Sequence, residues 1–311
     1  MKLWSRLGRA RRQNNFLGIL GHINIDMVYR LAQLPAPGRS INAMSVSAHF
    51  GGTAGNMAIH SSSLGVTTAL GSYLGDDADD IISDTLRGTS IDLYDVILSS
   101  GERTPRCHIF DDGAEQSYVI EQGAMASTRK LPLWEHVVAN SRIVHVATGD
   151  PLRYRAAVSG REYNFDPGQE IGYRYDKAVF RQMLSRCNIF FTNETEMRIA
   201  LKLLSADHEK ELLRHCDTII KTAGNRGTEV ITSEGITSVG PCRVRRVADT
   251  IGAGDAFRAG FYAALSKGRD IFTAVEYGNA MAAISVGGKG GAGRTTDWKT
   301  LLKKWKANYL S

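Results

Sequence analysis

Asp249-Thr250-Ile251-Gly252-Ala253-Gly254-Asp255 sets two glycines and an alanine directly before a carboxylate, and an apolar pattern follows. Phe257, Phe261 and Ala264 fall at i, i+4 and i+7, one face of a helix. The spacing predicts that Gly252 to Gly254 lie at the amino end of that helix. Backbone N–H groups there have no intrahelical partner, and the helix dipole adds partial positive charge. Such an end suits a phosphate or a transferring phosphoryl group, and small residues let its oxygens approach the backbone closely. Asp255 would stand beside this anion hole, where a base can take the proton of an attacking hydroxyl. The plainer role of a first-turn acid is to stabilise the dipole, so the rest of the chain must decide.

Four further stretches share that chemistry. Gly51-Gly52-Thr53-Ala54-Gly55-Asn56 is a second glycine-rich turn opening a helix, and Asn56 offers a sugar hydroxyl both a donor and an acceptor. Asn24 and Asp26 follow the first apolar run. Such residues often cap turns, but a strand-end carboxylate facing a crevice can accept from vicinal hydroxyls. Asn193-Glu194-Thr195-Glu196 has the form of a capping box. Glu196 could equally orient water around a magnesium ion on nucleotide phosphates. Lys221-Thr222-Ala223-Gly224-Asn225-Arg226-Gly227 follows a strand pattern, so Gly224 and Gly227 could line a nucleotide; alone, the run is a turn.

The elements that must position these residues alternate. Phe16–Gly21 is a short apolar run ending in glycine, as in a buried parallel strand. Strands are predicted at Thr67–Tyr73, Ile143–Ala147, Glu162–Phe165, Ile189–Thr192, Thr218–Thr222 and Glu229–Thr232. Helical patterns lie among them at 54–64, Glu194–Leu204 and Asp207–Cys216. This predicts an α/β fold, a doubly wound, mostly parallel sheet with helices on both faces. Residues 40–48 and 105–121 break the alternation as short strands without helices, the second pair split by a turn-rich Asp111–Glu115. With Met27–Arg30 they are expected to form a small lid sheet with one apolar face, embedded at about 27–50 and 104–122 in a single domain spanning 16–311.

At 311 residues and 43% hydrophobic the chain can bury a large core. The net charge of +6 suggests a nucleic-acid partner until its distribution is considered. Residues 1–15 carry five basic residues and no acidic one, leaving 33 basic against 32 acidic in the body. A neutral body argues against binding a phosphate backbone, and residues 1–15 are expected to be a disordered basic tail. The tail lacks the apolar core of a signal peptide, and no run approaches the roughly 18 apolar residues of a membrane span. Four widely separated cysteines read as reduced thiols of a cytoplasmic protein, with no zinc or disulfide pattern.

In their order along the chain, GGTAGN, NETE, KTAGNRG and DTIGAGD resemble the signatures of the ribokinase-like, or PfkB, family of carbohydrate and nucleoside kinases. The resemblance spans about residues 16–305. Val144–Pro151, Phe165–Gln169, Thr104-Pro105-Arg106 and Asp255–Phe261 are most similar to archaeal nucleoside kinases. It implies a magnesium-dependent transfer from ATP to the 5′-hydroxyl of a nucleoside. Asp255 would be the base, and Gly252, Ala253 and Gly254 the anion hole. Asn24, Asp26, Gly52 and Asn56 would hold the ribose, with Arg106, Asp166 and Gln169 also at the substrate. Asn193, Lys221, Thr222, Gly224, Gly227 and Asn279 would lie along ATP. Glu196 would place magnesium through water, and Asp249 matches part of a site for a monovalent cation such as K+. Many ribokinases carry Lys where this chain has Thr53, which weakens free ribose as the acceptor. Related lids pair between subunits, so a homodimer is expected.

Two rivals follow. A sugar or sugar-phosphate kinase would need a basic grip, which Arg39, Arg103 or Arg106 could supply. A non-catalytic binding protein would have no use for Asp255 beside its anion hole. An apolar base pocket under the lid would mark a nucleoside; converging arginines would mark a sugar phosphate.

Overall fold

The computed structural model describes residues 14–310, apart from 79, 128–129, 245–246 and 289–293. The first apolar run forms β1 (Asn15–Leu20), which pairs in parallel with both β4 (Thr68–Gly75) and β8 (Ser141–Val146). Parallel pairing continues from β8 through β9 (Tyr163–Phe165), β10 (Cys187–Asn193) and β11 (Cys216–Thr222). Antiparallel β12 (Thr228–Thr232) and β13 (Gly235–Val239) close one edge, and parallel β5 (Val96–Ser99) closes the other. The nine strands run β13-β12-β11-β10-β9-β8-β1-β4-β5. This is the mostly parallel, doubly wound sheet that the alternation predicts.

Period-two alternation sends β1 side chains into two cores, Leu17 and Ile19 into one and Leu20 into the other. The first core is completed by α1 (Thr53–Ser63), α2 (Asp80–Leu86), α7 (Ala253–Ser266), α8 (Ile271–Ser285) and α9 (Trp298–Tyr309). The second is completed by α3 (Glu135–Ala139), α4 (Pro151–Ala157), α5 (Lys177–Leu184) and α6 (Glu194–Leu204). Strand order reverses at β1, which has β4 on one side and β8 on the other. The crevice at such a reversal, beyond the carboxyl ends of the strands, is where open α/β sheets bind ligands.

The lid is a separate four-stranded sheet, β3-β2-β6-β7, of β2 (Asn24–Arg30), β3 (Ser45–Gly51), β6 (Arg106–Asp111) and β7 (Gln116–Glu121). Its strands occupy 24–51 and 106–121, close to the expected 27–50 and 104–122. The strand expected at 40–48 lies further on, because pairing with β2 starts at Ser45 opposite Arg30 and ends at Gly51 opposite Asn24. The helix expected at Asp207–Cys216 is a 3-10 turn, Glu209–Arg214, since Cys216 already pairs with Cys187 in the main sheet. One apolar face was expected of the lid; register gives it two. Asp26, Cys107 and Ile120 share one row and Val28, Ile109 and Tyr118 the next. The rows between them, Met27, Ala48, His108 and Val119, then Tyr29, Val46 and Phe110, face the opposite way. Val46 and Val119 are 52% and 58% exposed there. No helix among the described residues is long and apolar enough to cross a membrane, and the four cysteines are free and buried. Most of the basic tail, 1–13, lies outside the described residues.

Candidate active site

The cleft forms where the lid meets the strand-order reversal. His22 and Thr148, just beyond the carboxyl ends of β1 and β8, line it together with Asn24, Asp26, Gly52, Thr53 and Asn56. Gly52 turns the chain from β3 into α1 at φ 91°, in the left-handed region. A Cβ there would run into Asn24 Oδ1 and the His22 carbonyl, so only glycine brings this turn so close to β1. One turn into α1, Asn56 donates from Nδ2 to Asp255 Oδ2 at 2.9 Å, and its own Oδ1 is buried without a partner among the described residues. Asn24 likewise donates to Asp26 Oδ1 at 2.8 Å.

From the other side comes the amino end of α7. Its N-cap is Gly252 at φ 74°, and among the described residues no side chain caps it; the Ala253 amide turns back to the Thr250 carbonyl at 3.2 Å, which leaves the Gly254 and Asp255 amides for an anion. Gly252, Gly254 and Asp255 line the cleft of about 240 Å³. Ile251 packs on the lid residues Val28, Cys107 and Ile109. Burial pushes the Asp255 carboxyl up to about 7, against the lowering pull of Arg258 and Asn56. Burial and then the Asp255 charge push Asp26 up to about 7 as well, with Asn24 opposing. The two carboxylates are therefore electrostatically linked across the cleft.

Behind α7 sits a buried charged cluster. Arg258, three residues after Asp255, pairs with Asp166, and its guanidinium lies 5.7 Å over the Phe191 ring. Burial pushes Asp166 up, but Arg258 and His145 outweigh it and hold the carboxyl below its usual range. Glu196, at the start of α6, is pushed up to about 7 by burial and by Asp166, with Arg258 opposing. Arg258 is one residue that sequence reasoning missed. Its signal is a charge in the run Ala256-Phe257-Arg258-Ala259-Gly260-Phe261, where a buried cation must find carboxylates.

A second pocket of about 530 Å³ lies on the other side of the same helix end. Thr250 and Ala253 form its boundary with the first, and Pro241, Val244, Val247, Ala282 and Val286 give it apolar walls. Gly224 and Asn279, expected along ATP, line it. Asn279 is held by the Thr228 hydroxyl at 2.8 Å and donates to the Gly240 carbonyl at 3.0 Å. The apolar walls had no motif to announce them.

Most other expected residues stand outside the linings of both pockets. Arg106 is in register with Ile25 and Glu121, on the lid face opposite Cys107, and pairs with Asp77 at 2.8 Å. Asp166 stands behind the cleft wall, held by Arg258. Lys221 Nζ is clamped between Glu209 and Glu229, each at 2.7 Å. The Thr222 hydroxyl donates to the Thr192 carbonyl at 3.4 Å, and Gly227, at φ 94°, abuts the Val239 carbonyl. Asn193 and Glu196 form the reciprocal capping box of α6. Asp249 accepts from the Ile251 amide at 3.0 Å, bracing the loop before α7. Gln169 lines the cleft at its exposed rim.

Residues 14–298 match the model of the pfkB family carbohydrate kinases. A nucleoside kinase of Methanocaldococcus jannaschii is 30% identical over 291 residues, 92% of this chain and 95% of that protein. An ATP-dependent ribose-1-phosphate kinase of Halopiger xanaduensis is 29% identical, over 87% of this chain and 91% of its own. The crystal structure of the Methanocaldococcus jannaschii nucleoside kinase superposes with a TM-score of 0.84 at 28% identity, covering 97% of this chain and all of that one. The ribokinase-like sheet with its lid is thus matched along almost the whole chain: the protein belongs to the pfkB family and is a kinase.

Proposed function

We propose that the protein transfers the γ-phosphoryl group of ATP to the 5′-hydroxyl of a nucleoside. The observation that carries this is the position of the α7 amino end. Ala253 faces the apolar pocket while Gly252, Gly254 and Asp255 face the lid-covered cleft. A nucleotide in the first and a hydroxyl in the second would place the transferring group over the same amides. Asp255 takes the hydroxyl proton, and the amides stabilise charge as it builds on the phosphoryl oxygens. Asn24, Asp26 and Asn56 hold the ribose hydroxyls, Asn56 offering its unpartnered Oδ1.

The lid favours a nucleoside over a sugar phosphate. Pro105, Cys107, Ile109, Tyr118 and Ile120 roof the cleft, an apolar cover suited to a base, and no arginine among the described residues lines it. Arg103 and Arg106 are engaged by Asp77 and Glu121. The kinase of ribose 1-phosphate among the relatives makes this contrast the one to test.

Magnesium fits as an ion carried in on the phosphates. No group of three or more His, Cys, Asp or Glu among the described residues could cage a metal, and magnesium commonly keeps several waters and phosphate oxygens. Glu196, with Asn193 beside it, would hold that hydrated ion, which when bound neutralises phosphate charge. The outer lid face, with Val46 and Val119 exposed, would bury itself against a second subunit. Light scattering should then give about twice 34.0 kDa, and a monomer at micromolar concentration would refute the pairing.

A coupled ADP-release screen across nucleosides, ribose, ribose 1-phosphate and fructose 6-phosphate tests the substrate class. Turnover of nucleosides well above the sugars is expected. Turnover confined to a sugar phosphate would overturn the proposal.

A further inference from the structure

One wall of the cleft carries a row of polar side chains that neither the anion hole nor the base employs. Glu170, in the 3-10 turn Gly168–Gly172, lines the cleft and is 2% exposed. Its Oε1 accepts from Gln122 Nε2 at 2.9 Å and from the Tyr173 hydroxyl at 3.2 Å, and pairs with Arg174 Nε at 3.1 Å. Its Oε2 is buried and has no partner among the described residues. A buried carboxylate oxygen left unpaired is costly, which is tolerable where a ligand supplies the missing donor.

The Gln122 end of the row has a defined direction, and a neutral His22 would set the rest. Glu170 as a carboxylate only accepts, so the Gln122 amide is fixed with its nitrogen toward Glu170 and its oxygen toward His22 Nε2, 2.6 Å away. A neutral imidazole donating from Nε2 accepts at Nδ1, and the donor there is the Thr148 hydroxyl at 3.0 Å. Thr148 Oγ1 in turn accepts from Thr53 Oγ1 at 2.6 Å. The Thr53, Thr148 and His22 protons are then spent inside the row, while the Gln122 amide keeps one further N–H. Among the members of the row that line the cleft, what remains for a ligand is an acceptor at each end, Thr53 Oγ1 and Glu170 Oε2.

Resting on the nucleoside assignment above, we propose that Glu170 selects the base: its unpartnered Oε2 accepts from a ring N–H. The favoured acceptors are then nucleosides whose base presents such a donor, as the lactam of a 6-oxopurine does. Adenine places a ring-nitrogen lone pair where that proton would be, opposite a carboxylate oxygen that has only lone pairs to offer.

The test is kcat and KM for inosine, 1-methylinosine and adenosine, with the wild type and Glu170→Gln. In the wild type, inosine should exceed both others by roughly 10–100-fold in kcat/KM, chiefly through KM, as for loss of a hydrogen bond to a charged group. Glutamine keeps one oxygen for the existing partners and turns the other position into a donor. The variant should therefore lose inosine by roughly tenfold or more while adenosine gains ground on it. A variant that lowers both nucleosides by the same factor would mark a purely structural role and overturn the inference. Equal use of inosine and 1-methylinosine by the wild type would overturn it without any variant. Turnover of sugars alone would instead defeat the nucleoside assignment itself.

Discussion

The two pockets that meet at α7 are built on different principles. The proposed acceptor cleft has, beneath its apolar lid, side chains that carry protons and charge: Asp26, Asn56, Asp255, Glu170, His22, Thr53 and Thr148. The proposed donor pocket is walled mainly by valine, alanine and proline, with Arg243 and Asn279 among its polar members, and Lys221, expected along ATP, is held outside it by Glu209 and Glu229. A polar wall can discriminate among ligands by donor and acceptor, whereas an apolar wall reads mainly shape. Single side-chain changes should therefore cost the acceptor side much more than the donor side.

Asp255→Asn should produce the largest effect. The amide keeps the shape but cannot take the hydroxyl proton, so kcat should fall by about 10²–10⁴ while ATP and nucleoside affinity stay within severalfold. Rapid-quench single turnovers with saturating substrates would measure it; near-wild-type turnover would remove Asp255 from the chemistry.

Acidity comes next. With Asp255 and Asp26 raised from 3.8 to about 7, the base is protonated below that range. The kcat/KM profile should therefore fall by roughly tenfold per pH unit on its acid side. Stability should move with the opposite sign. Between pH 3.8 and about 7 the folded state holds protons that the unfolded chain has released. The contribution of these two groups therefore declines as pH rises through that window and is level above it. Urea denaturation across the window should show that decline in wild type and a smaller one in Asp26→Asn. A profile flat from pH 5 to 8 would contradict both assignments.

The smallest effect should come from the donor side. Lys221→Ala removes a lysine already neutralised by two glutamates, so it should cost about 1 kcal/mol or less in stability and roughly twofold in KM for ATP. A much larger rise in KM for ATP would mean that Lys221 leaves its clamp to meet the nucleotide, and the contrast between the pockets would shrink.

Local chemistry was legible in the sequence; long-range company was not. DTIGAGD and GGTAGN announce helix ends because glycine and small residues have local consequences, and the structure puts both at the cleft. Alternating apolar runs likewise reveal the parallel sheet. Arg106 could not be placed from its motif, because which lid face it occupies depends on register, and one step along β6 separates it from cleft-facing Cys107. The row Thr53, Thr148, His22, Gln122 and Glu170 draws on five distant segments and has no spacing to detect. Asp166 looked like a ligand contact because its partner, Arg258, lies 92 positions away inside an apolar helix.

The most direct test is a crystal structure with a nucleoside and a non-hydrolysable ATP analogue bound together. The 5′-oxygen should lie within hydrogen-bond distance of Asp255, the γ-phosphate on the amides of Gly252 to Gly254, and the adenine between Val244, Val247 and Val286. A nucleoside bound with its 5′-oxygen remote from Asp255, or an analogue outside the 241–286 pocket, would contradict the account.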